Sequence, residues 1–283
     1  MKKLLMLTVL LLAAMSASAN VTLNELFTDH MVLQRDIPVA VFGQAAPGEK
    51  VTISFAGQEK SATAGQDGRW SVKLDPMTAC TNSQVLTVAG QNKIGVKDVV
   101  VGDVWLCSGQ SNMDFGLNGC ERQQDINQAN FPLLRQFNVP ERASSYPVTE
   151  TTGRWTVSTP QSAGGFTAVG FYFGRKLQQE TGLPIGLIKS ARGGTSIEPW
   201  INPEGLASIP ELAKDKEQFE LRFKDYRENL ARTLPKIDTY VAEVRQALSN
   251  NTALPRQVEF PSYPVSNRDP NGWHPLYLSL IHI

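Results

Sequence analysis

Residues 104–117, VWLCSGQSNMDFGL, begin as an apolar stretch and then change to Gly, Gln, Ser and Asn. The apolar half is typical of a buried strand, and Gly109 marks the turn that ends it. Ser111 would then lie on a strand-end turn, with its hydroxyl available for chemistry. Such a serine is either an ordinary turn residue or a nucleophile, and the pattern Gly-x-Ser alone does not decide between them.

A second stretch, IGLIKSARGGTS at residues 185–196, is again an apolar strand that ends in glycines, and LLRQFNV at residues 133–139 predicts a further strand. A three-to-four spacing before the second stretch predicts a helix that ends at Gly182. Its apolar positions are Phe166, Val169, Phe173 and Leu177. Strands that alternate with helices indicate an α/β layer with a parallel sheet, whose ligands bind at the carboxyl ends of the strands. Both glycine stretches belong to that edge.

Two further regions differ in pattern from this layer. Residues 20–100 consist of short strands separated by turn residues, with a turn at Pro47-Gly48 and a hairpin signal at Asp67-Gly68. They predict a small all-β sandwich domain. Residues 204–250 keep a three-to-four apolar spacing that Pro235 interrupts. They predict a helical insertion, built as two helices or as one kinked helix, whose charges form a solvated face.

Residues 1–19 are typical of a signal peptide. Lys2 and Lys3 precede an apolar run, and Ala17-Ser18-Ala19 follows it. The run is too short to span a bilayer as a helix, which takes about 20 residues. We therefore expect cleavage after Ala19 and an exported, periplasmic or extracellular protein with no membrane span.

Composition excludes several classes of partner. Lys plus Arg and Asp plus Glu both number 27, so the chain lacks the basic excess of a nucleic-acid-binding protein. No cluster of His, Cys and carboxylates and no phosphate-binding loop occurs, so neither a metal nor an organic cofactor is expected. Of the three cysteines, Cys107 is interpreted as a core residue, and a bridge between Cys80 and Cys120 stays open.

The stretches VGDVWLCSGQSNMDFGL (residues 101–117) and GGTSIEPW (residues 193–200) together resemble the sialate O-acetylesterase family, which is related to SGNH/GDSL-type serine esterases. Residues 23–57 also resemble the amino-terminal β-domain of those proteins. The resemblance covers residues 21 to about 271, and its most specific part is Gly-Gln-Ser-Asn-Met. It implies an SGNH-like parallel sheet with flanking helices, and hydrolysis of acetyl esters on sugars, sialic acid above all, through an acyl-serine intermediate.

The resemblance also implies roles for individual residues. Ser111 would be the nucleophile, and its own N–H and that of Gly194 would be the oxyanion donors. The residues expected to shape the pocket or contact the acetylated sugar are Gln110, Asn112, Glu198 and Trp200.

The sequence departs from the family after the helical insertion. A Gln-Gly-Glu-Ser-Asn-like stretch and a later Asp/His pair do not occur, so residues 101–273 are interpreted as a partial esterase domain and residues 274–283 as a foreign tail. None of the three histidines, His30, His274 and His282, has an acidic residue at a diagnostic spacing. We therefore expect little activity from this chain. A xylan or other polysaccharide acetylesterase and a non-catalytic carbohydrate-binding protein are the alternative functions.

Overall fold

The structure is a computed structural model that describes residues 20–140, 151–197, 200–201, 205 and 208–261. Its contacts divide the chain into two compact units. The first comprises the described residues up to Gly193, and the second comprises those from Gly194 onward.

Strands dominate the first unit. In chain order they are β1 Thr22–Leu23, β2 Val32–Gln34, β3 Val39–Gln44, β4 Lys50–Phe55, β5 Gln58–Thr63, β6 Arg69–Leu74, β7 Cys80–Ala89, β8 Lys93–Gly109, β9 Phe131–Asn138, β10 Trp155–Ser158 and β11 Ile185–Ala191. The small sheet has the order β1-β3-β6, and the large sheet has the order β10-β9-β11-β8-β7-β4-β5, with β2 beside β8. Buried side chains from both sheets, such as Val41 and Ile53, share one core, so the predicted sandwich is present.

The prediction of a hairpin at Asp67-Gly68 is wrong. These residues form a turn between β5 and β6, but β5 pairs with β4 in the large sheet and β6 pairs with β3 in the small one. The hairpin of this region lies instead at Ala56-Gly57, between β4 and β5, where both residues have positive φ angles of 48° and 75°. Two positive φ angles match the twist of a two-residue hairpin loop.

Strand β8 connects the all-β part to the α/β part. It runs through residue 100, where the sequence suggested a domain boundary, as one element of 17 residues. Its first half pairs antiparallel with β7, and its second half pairs parallel with β11. The change of partner falls next to Gly102, against which Pro184 packs so closely that a Cβ would overlap the Pro184 carbonyl.

The second half of β8 is less buried than its apolar sequence suggested. Trp105 is 44% exposed and Leu106 is 47% exposed. Trp105 packs edge-to-face on Phe173 with ring centroids 5.0 Å apart, which covers only part of the indole. The interpretation of residues 104–107 as a fully buried strand is therefore wrong, although Cys107 is buried as expected.

The predicted α/β layer is present. Strand β11 lies parallel to both β8 and β9. The described α-helices of the first unit are α1 Ser111–Asp114, α2 Gln123–Asn127 and α3 Ala168–Thr181. Helix α3 ends at Gly182 as predicted, with φ 69° at that residue.

The buried face of this region agrees only in part with the one that the sequence suggested, because Phe166 is buried and Leu177 packs against the core. Val169 and Phe173 are exposed, whereas Gly170, Phe171 and Gly174 are buried. Glycines allow the helix backbone to approach the sheet closely, and a Cβ on Gly174 would come within 2.6 Å of Leu134 Cδ1. Close packing through small residues therefore decides the orientation of the helix.

The second unit is built on helix α4, Pro210–Asn250, which has Pro235 in its interior. This region therefore forms one helix that contains Pro235, and the alternative prediction of two helices is wrong. Phe223 and Ala247 are buried, and a cavity of about 550 Å³ lies between the helix and residues 259–261. Among the described residues, no helix combines the length and apolar character that crossing a membrane requires.

Candidate active site

Ser111 lies where the sequence places it, directly after the carboxyl end of a strand of the parallel sheet. Strand β8 ends at Gly109, whose φ of 143° is a backbone conformation that favours glycine, and Ser111 begins helix α1. The serine is exposed. Its hydroxyl is therefore open to a reacting group that approaches this edge of the sheet.

The side chain of Gln110 binds both polar groups of Ser111. Its Oε1 accepts a hydrogen bond from the Ser111 amide at 2.8 Å and another from the Ser111 hydroxyl at 2.6 Å. The amide that the resemblance assigns to the oxyanion is thus occupied by Gln110 in this conformation. Asn112, the next residue of α1, is exposed.

The two glycine stretches meet at this edge, as the parallel sheet predicts. The Arg192 amide donates to the carbonyl of Gly109 at 3.0 Å, which continues the pairing of β11 with β8 beyond Ala191. Gly193 then lies beside the serine, and a Cβ placed on it would be 3.6 Å from Ser111 Cβ. A substrate carbonyl at Ser111 would therefore lie next to the Gly193 backbone.

Sequence reasoning did not find Asp114 and Lys189, which join these stretches. Asp114 Oδ2 accepts a hydrogen bond from the Gly193 amide at 3.1 Å, and Asp114 Oδ1 lies 2.5 Å from Lys189 Nζ. Asp114 is three residues after Ser111, on the same helical turn. No sequence pattern indicates these contacts, because Asp114 is far in the chain from Lys189 and Gly193. The residues come together only because β11 pairs with β8.

The other predicted site residues lie after Gly193. Gly194 has φ 80° and belongs to the second unit, so its role as an oxyanion donor stays a prediction. Trp200 also belongs to the second unit, where its indole N–H donates to Thr195 Oγ1 at 3.1 Å. Glu198 lies outside the described residues.

One histidine has an acidic partner that the sequence spacing did not reveal. His30 Nδ1 lies 2.7 Å from Asp98 Oδ2, with 67 residues between them in the chain. The pair is remote from Ser111, because Asp98 and Gly109 are 11 positions apart along β8 and a strand rises about 3.3 Å per residue. His30 is therefore a structural residue. His274 and His282 lie outside the described residues.

Of the three cysteines, one is buried and two are partly exposed. Burial raises the pKa of Cys107, which lies in β8 below the serine, to about 11, so this cysteine is a neutral core residue. Cys80 and Cys120 are free, so the bridge between them that the sequence left open is not formed. The part of the chain that the structure describes has no group of three or more His, Cys, Asp or Glu residues placed to hold a metal ion.

Comparisons with known proteins find a matching family and similar sequences. Residues 101–252 match the protein-family model described as "Carbohydrate esterase, sialic acid-specific acetylesterase". The chain is 35% identical over 219 residues to the sialate O-acetylesterase of Mus musculus and 33% identical over 223 residues to that of Homo sapiens. These matches cover 69% and 71% of this chain, and 40% and 43% of the relatives.

A solved structure is similar as well. The crystal structure of a novel carbohydrate acetylesterase from Xanthomonas citri has 40% sequence identity and a TM-score of 0.64. That similarity covers 66% of this chain and 44% of the other. The chain thus spans less than half the length of each of these three relatives.

Proposed function

Because the chain belongs to the family of sialic acid-specific carbohydrate acetylesterases, we propose that it hydrolyses acetyl esters on sugars with Ser111 as the nucleophile. One observation supports this role most directly. Ser111 is exposed at the carboxyl end of β8, and the Gly193 backbone lies directly beside it. An exposed serine at the carboxyl end of a parallel strand, beside a residue without a side chain, leaves room for an acyl group to reach the hydroxyl.

The proposed reaction has two steps. Ser111 Oγ forms a bond to the acetyl carbon and gives up its proton, and the carbonyl oxygen becomes an oxyanion. The bond from the acetyl carbon to the sugar oxygen then breaks, and that oxygen takes up the proton and leaves as a hydroxyl. Water then attacks the acetyl-serine, which releases acetate and restores the serine. The N–H groups of Ser111 and Gly194 are the proposed oxyanion donors, and the Gln110 side chain must leave the Ser111 amide before the carbonyl oxygen can bind there.

An O-acetylated sialic acid is the proposed substrate. The description of the matching family and the names of the mouse and human relatives support this choice. An acetylated polysaccharide is the second candidate, because the similar Xanthomonas citri protein is named only as a carbohydrate acetylesterase. Gln110, Asn112, Glu198 and Trp200 are the proposed sugar contacts.

Export is part of the proposal. The charged start, the apolar run and Ala17-Ser18-Ala19 support a signal peptide over residues 1–19 and a secreted or periplasmic location. Acetylated glycans outside the cytoplasm would then be accessible to the enzyme.

Exchange of Ser111 tests the function. Ser111→Ala removes one hydroxyl from an exposed position, so the fold should be kept while release of acetate is lost. Acetate release from O-acetylated sialic acid and from acetylated xylan should be measured for the unchanged protein and for Ser111→Ala, both in a version extended to the length of the relatives. Acetate release by Ser111→Ala at more than about one hundredth of the unchanged rate would place the nucleophile elsewhere, because losing a serine nucleophile costs about 10⁶-fold in a comparable hydrolase.

A further inference from the structure

The carboxylate of Asp114 connects the two glycine stretches of the candidate site. Asp114 ends helix α1, which Ser111 begins, and its Oδ2 accepts the hydrogen bond from the Gly193 amide. Its Oδ1 forms the ion pair with Lys189 of β11. The turn that carries the serine is thus bound to the end of β11 through both a backbone amide and a side chain.

We propose that Asp114 is a positioning residue of this esterase site, which holds the Gly193 peptide against Ser111, and that Lys189 neutralises its charge. The inference rests on the proposed function of Ser111. A Cβ on Gly193 would lie 3.6 Å from Ser111 Cβ and 3.8 Å from Asp114 Oδ2, so this peptide forms a wall of the space where an acyl group reacts. A displacement of about 1 Å in such a wall can reduce a rate about 10²-fold.

The charge of Lys189 is the second part of the inference. A bare carboxylate one helical turn from Ser111 would repel the negative oxygen that forms during acyl transfer. The side chains of Asp114 and Lys189 are only 29% and 15% exposed, so solvent screens their interaction less than it screens a surface pair. The carboxylate can therefore bind the Gly193 amide without placing a net charge beside the nucleophile.

Three variants distinguish the effect of the hydrogen bond that holds Gly193 from the effect of the charge on Asp114. Asp114→Ala removes the acceptor of the Gly193 amide, and Lys189→Met leaves the carboxylate without its countercharge. The double variant Asp114→Asn/Lys189→Met removes both charges and retains an oxygen that can accept from Gly193. Asp125→Asn is the matched control, because Asp125 is also mostly buried and paired with arginines, but it contacts Tyr172 and Arg175 of α3.

Two measurements on a version extended to the length of the relatives test the inference, because rapid capture of a serine needs a base that takes its proton. The first is the resonance of the Gly193 amide and its hydrogen-exchange rate, observed by NMR with glycine labelling. The second is the rate at which a phosphonofluoridate captures Ser111, measured by mass spectrometry. In this capture Ser111 Oγ forms a bond to phosphorus, fluoride leaves and the buffer takes the hydroxyl proton.

In Asp114→Ala we expect a shifted, faster-exchanging Gly193 amide and capture slowed about 10-fold to 100-fold. In Lys189→Met the amide should stay protected while capture slows, and the double variant should recover most of that loss. Asp125→Asn should change neither measurement. A role of Asp114 in stability alone would lower the unfolding temperature and leave the capture rate of the folded protein unchanged.

An unchanged Gly193 amide in Asp114→Ala would overturn the inference, whatever the capture rates. If the unchanged chain is not captured at Ser111 although the amide responds as expected, the proposed function of Ser111 fails and the anchoring of Gly193 stands. Equal capture rates in Lys189→Met and the unchanged chain would overturn the part that concerns charge.

Discussion

Gln110 Oε1 lies 2.6 Å from Ser111 Oγ and 2.8 Å from the Ser111 amide nitrogen, so one side-chain oxygen accepts both hydrogen bonds of the candidate nucleophile. A substrate carbonyl oxygen in the oxyanion position would need the same amide. Gln110 and the substrate therefore compete for Ser111.

Removal of this competitor should make Ser111 more reactive. We expect Gln110→Ala to raise the rate of phosphonofluoridate capture severalfold, because the amide and hydroxyl of Ser111 become free. Gln110→Glu should lower it, because a charged acceptor binds both groups more strongly. Gln123→Ala, at an exposed glutamine of α2 that bonds Asn127, is the control. A slower reaction in Gln110→Ala would mean that this side chain holds the turn in its reactive form.

His30 should have no part in the chemistry. Asp98 and Gly109 are 11 positions apart along β8, which places His30 on the order of 30 Å from the serine, so His30→Ala should leave capture of Ser111 within about twofold.

Residues 20–283 should turn over an aryl acetate only weakly, since a serine nucleophile needs a base to take its proton and none of the histidines has an acidic residue at a diagnostic spacing. Robust turnover that His274→Ala removes would contradict this expectation and identify His274 as the base.

Gly102 should be essential to the fold. A Cβ there would overlap the backbone carbonyl of Pro184, which cannot move without breaking its 2.9 Å hydrogen bond from the Asp103 amide. We expect Gly102→Ala to lower the free energy of unfolding by about 3 kcal/mol. Gly95→Ala is the control on the same strand, because its Cβ would meet only Val85 Cγ1 at 3.7 Å. Denaturant unfolding of both variants checks this, and equal stabilities would contradict it.

The Asp98 carboxylate should make stability depend on acid pH. Burial alone would raise its pKa, but hydrogen bonds from His30 and Ser83 and the charge of Arg135 lower the pKa of Asp98 below its usual value. Arg135 is 3% exposed and donates to Asp98 Oδ1 at 3.0 Å, so the carboxylate compensates a buried charge. A lowered pKa in the folded state stabilises the protein above the unfolded value of about 3.9, and this contribution is lost as the pH falls through the folded value.

Asp98→Asn should accordingly lower the free energy of unfolding at pH 7 by about 2 kcal/mol and flatten its decline below about pH 4. The residue has φ 52°, a conformation that asparagine also tolerates, so the backbone should be kept. Asp75→Asn, which removes an exposed partner of Lys60, is the control and should have little effect. If the stability of Asp98→Asn depended on pH as that of the unchanged protein does, a lowered pKa of Asp98 would be contradicted.

Export should be visible at the amino terminus. If residues 1–19 are a signal peptide, protein recovered from the periplasm or the medium should begin at Asn20. Amino-terminal sequencing of that material checks the site of cleavage. Protein that keeps Met1 and stays with the membrane fraction would show that the segment is an anchor.

The sequence by itself determined the class of the fold and the position of the nucleophile candidate. Apolar runs that end in Gly109 and Gly193 predicted two parallel strands with glycine turns at one edge, and Gly182 predicted the end of α3. These features are local, since a glycine turn or a helix end depends on a few neighbouring residues.

Only the tertiary structure decided which distant residues touch. The bonds of Asp114 to Gly193 and Lys189, and of His30 to Asp98, join segments that are far apart in the chain, so no spacing rule could reveal them. The buried face of α3 is also a tertiary result, because Gly170 and Gly174 carry no apolar signal and yet permit the closest approach to the sheet. Turns and helix ends can be predicted from sequence because they depend on neighbouring residues. Which distant residues come into contact is set by the packing of strands and helices, whose energy depends on the whole fold.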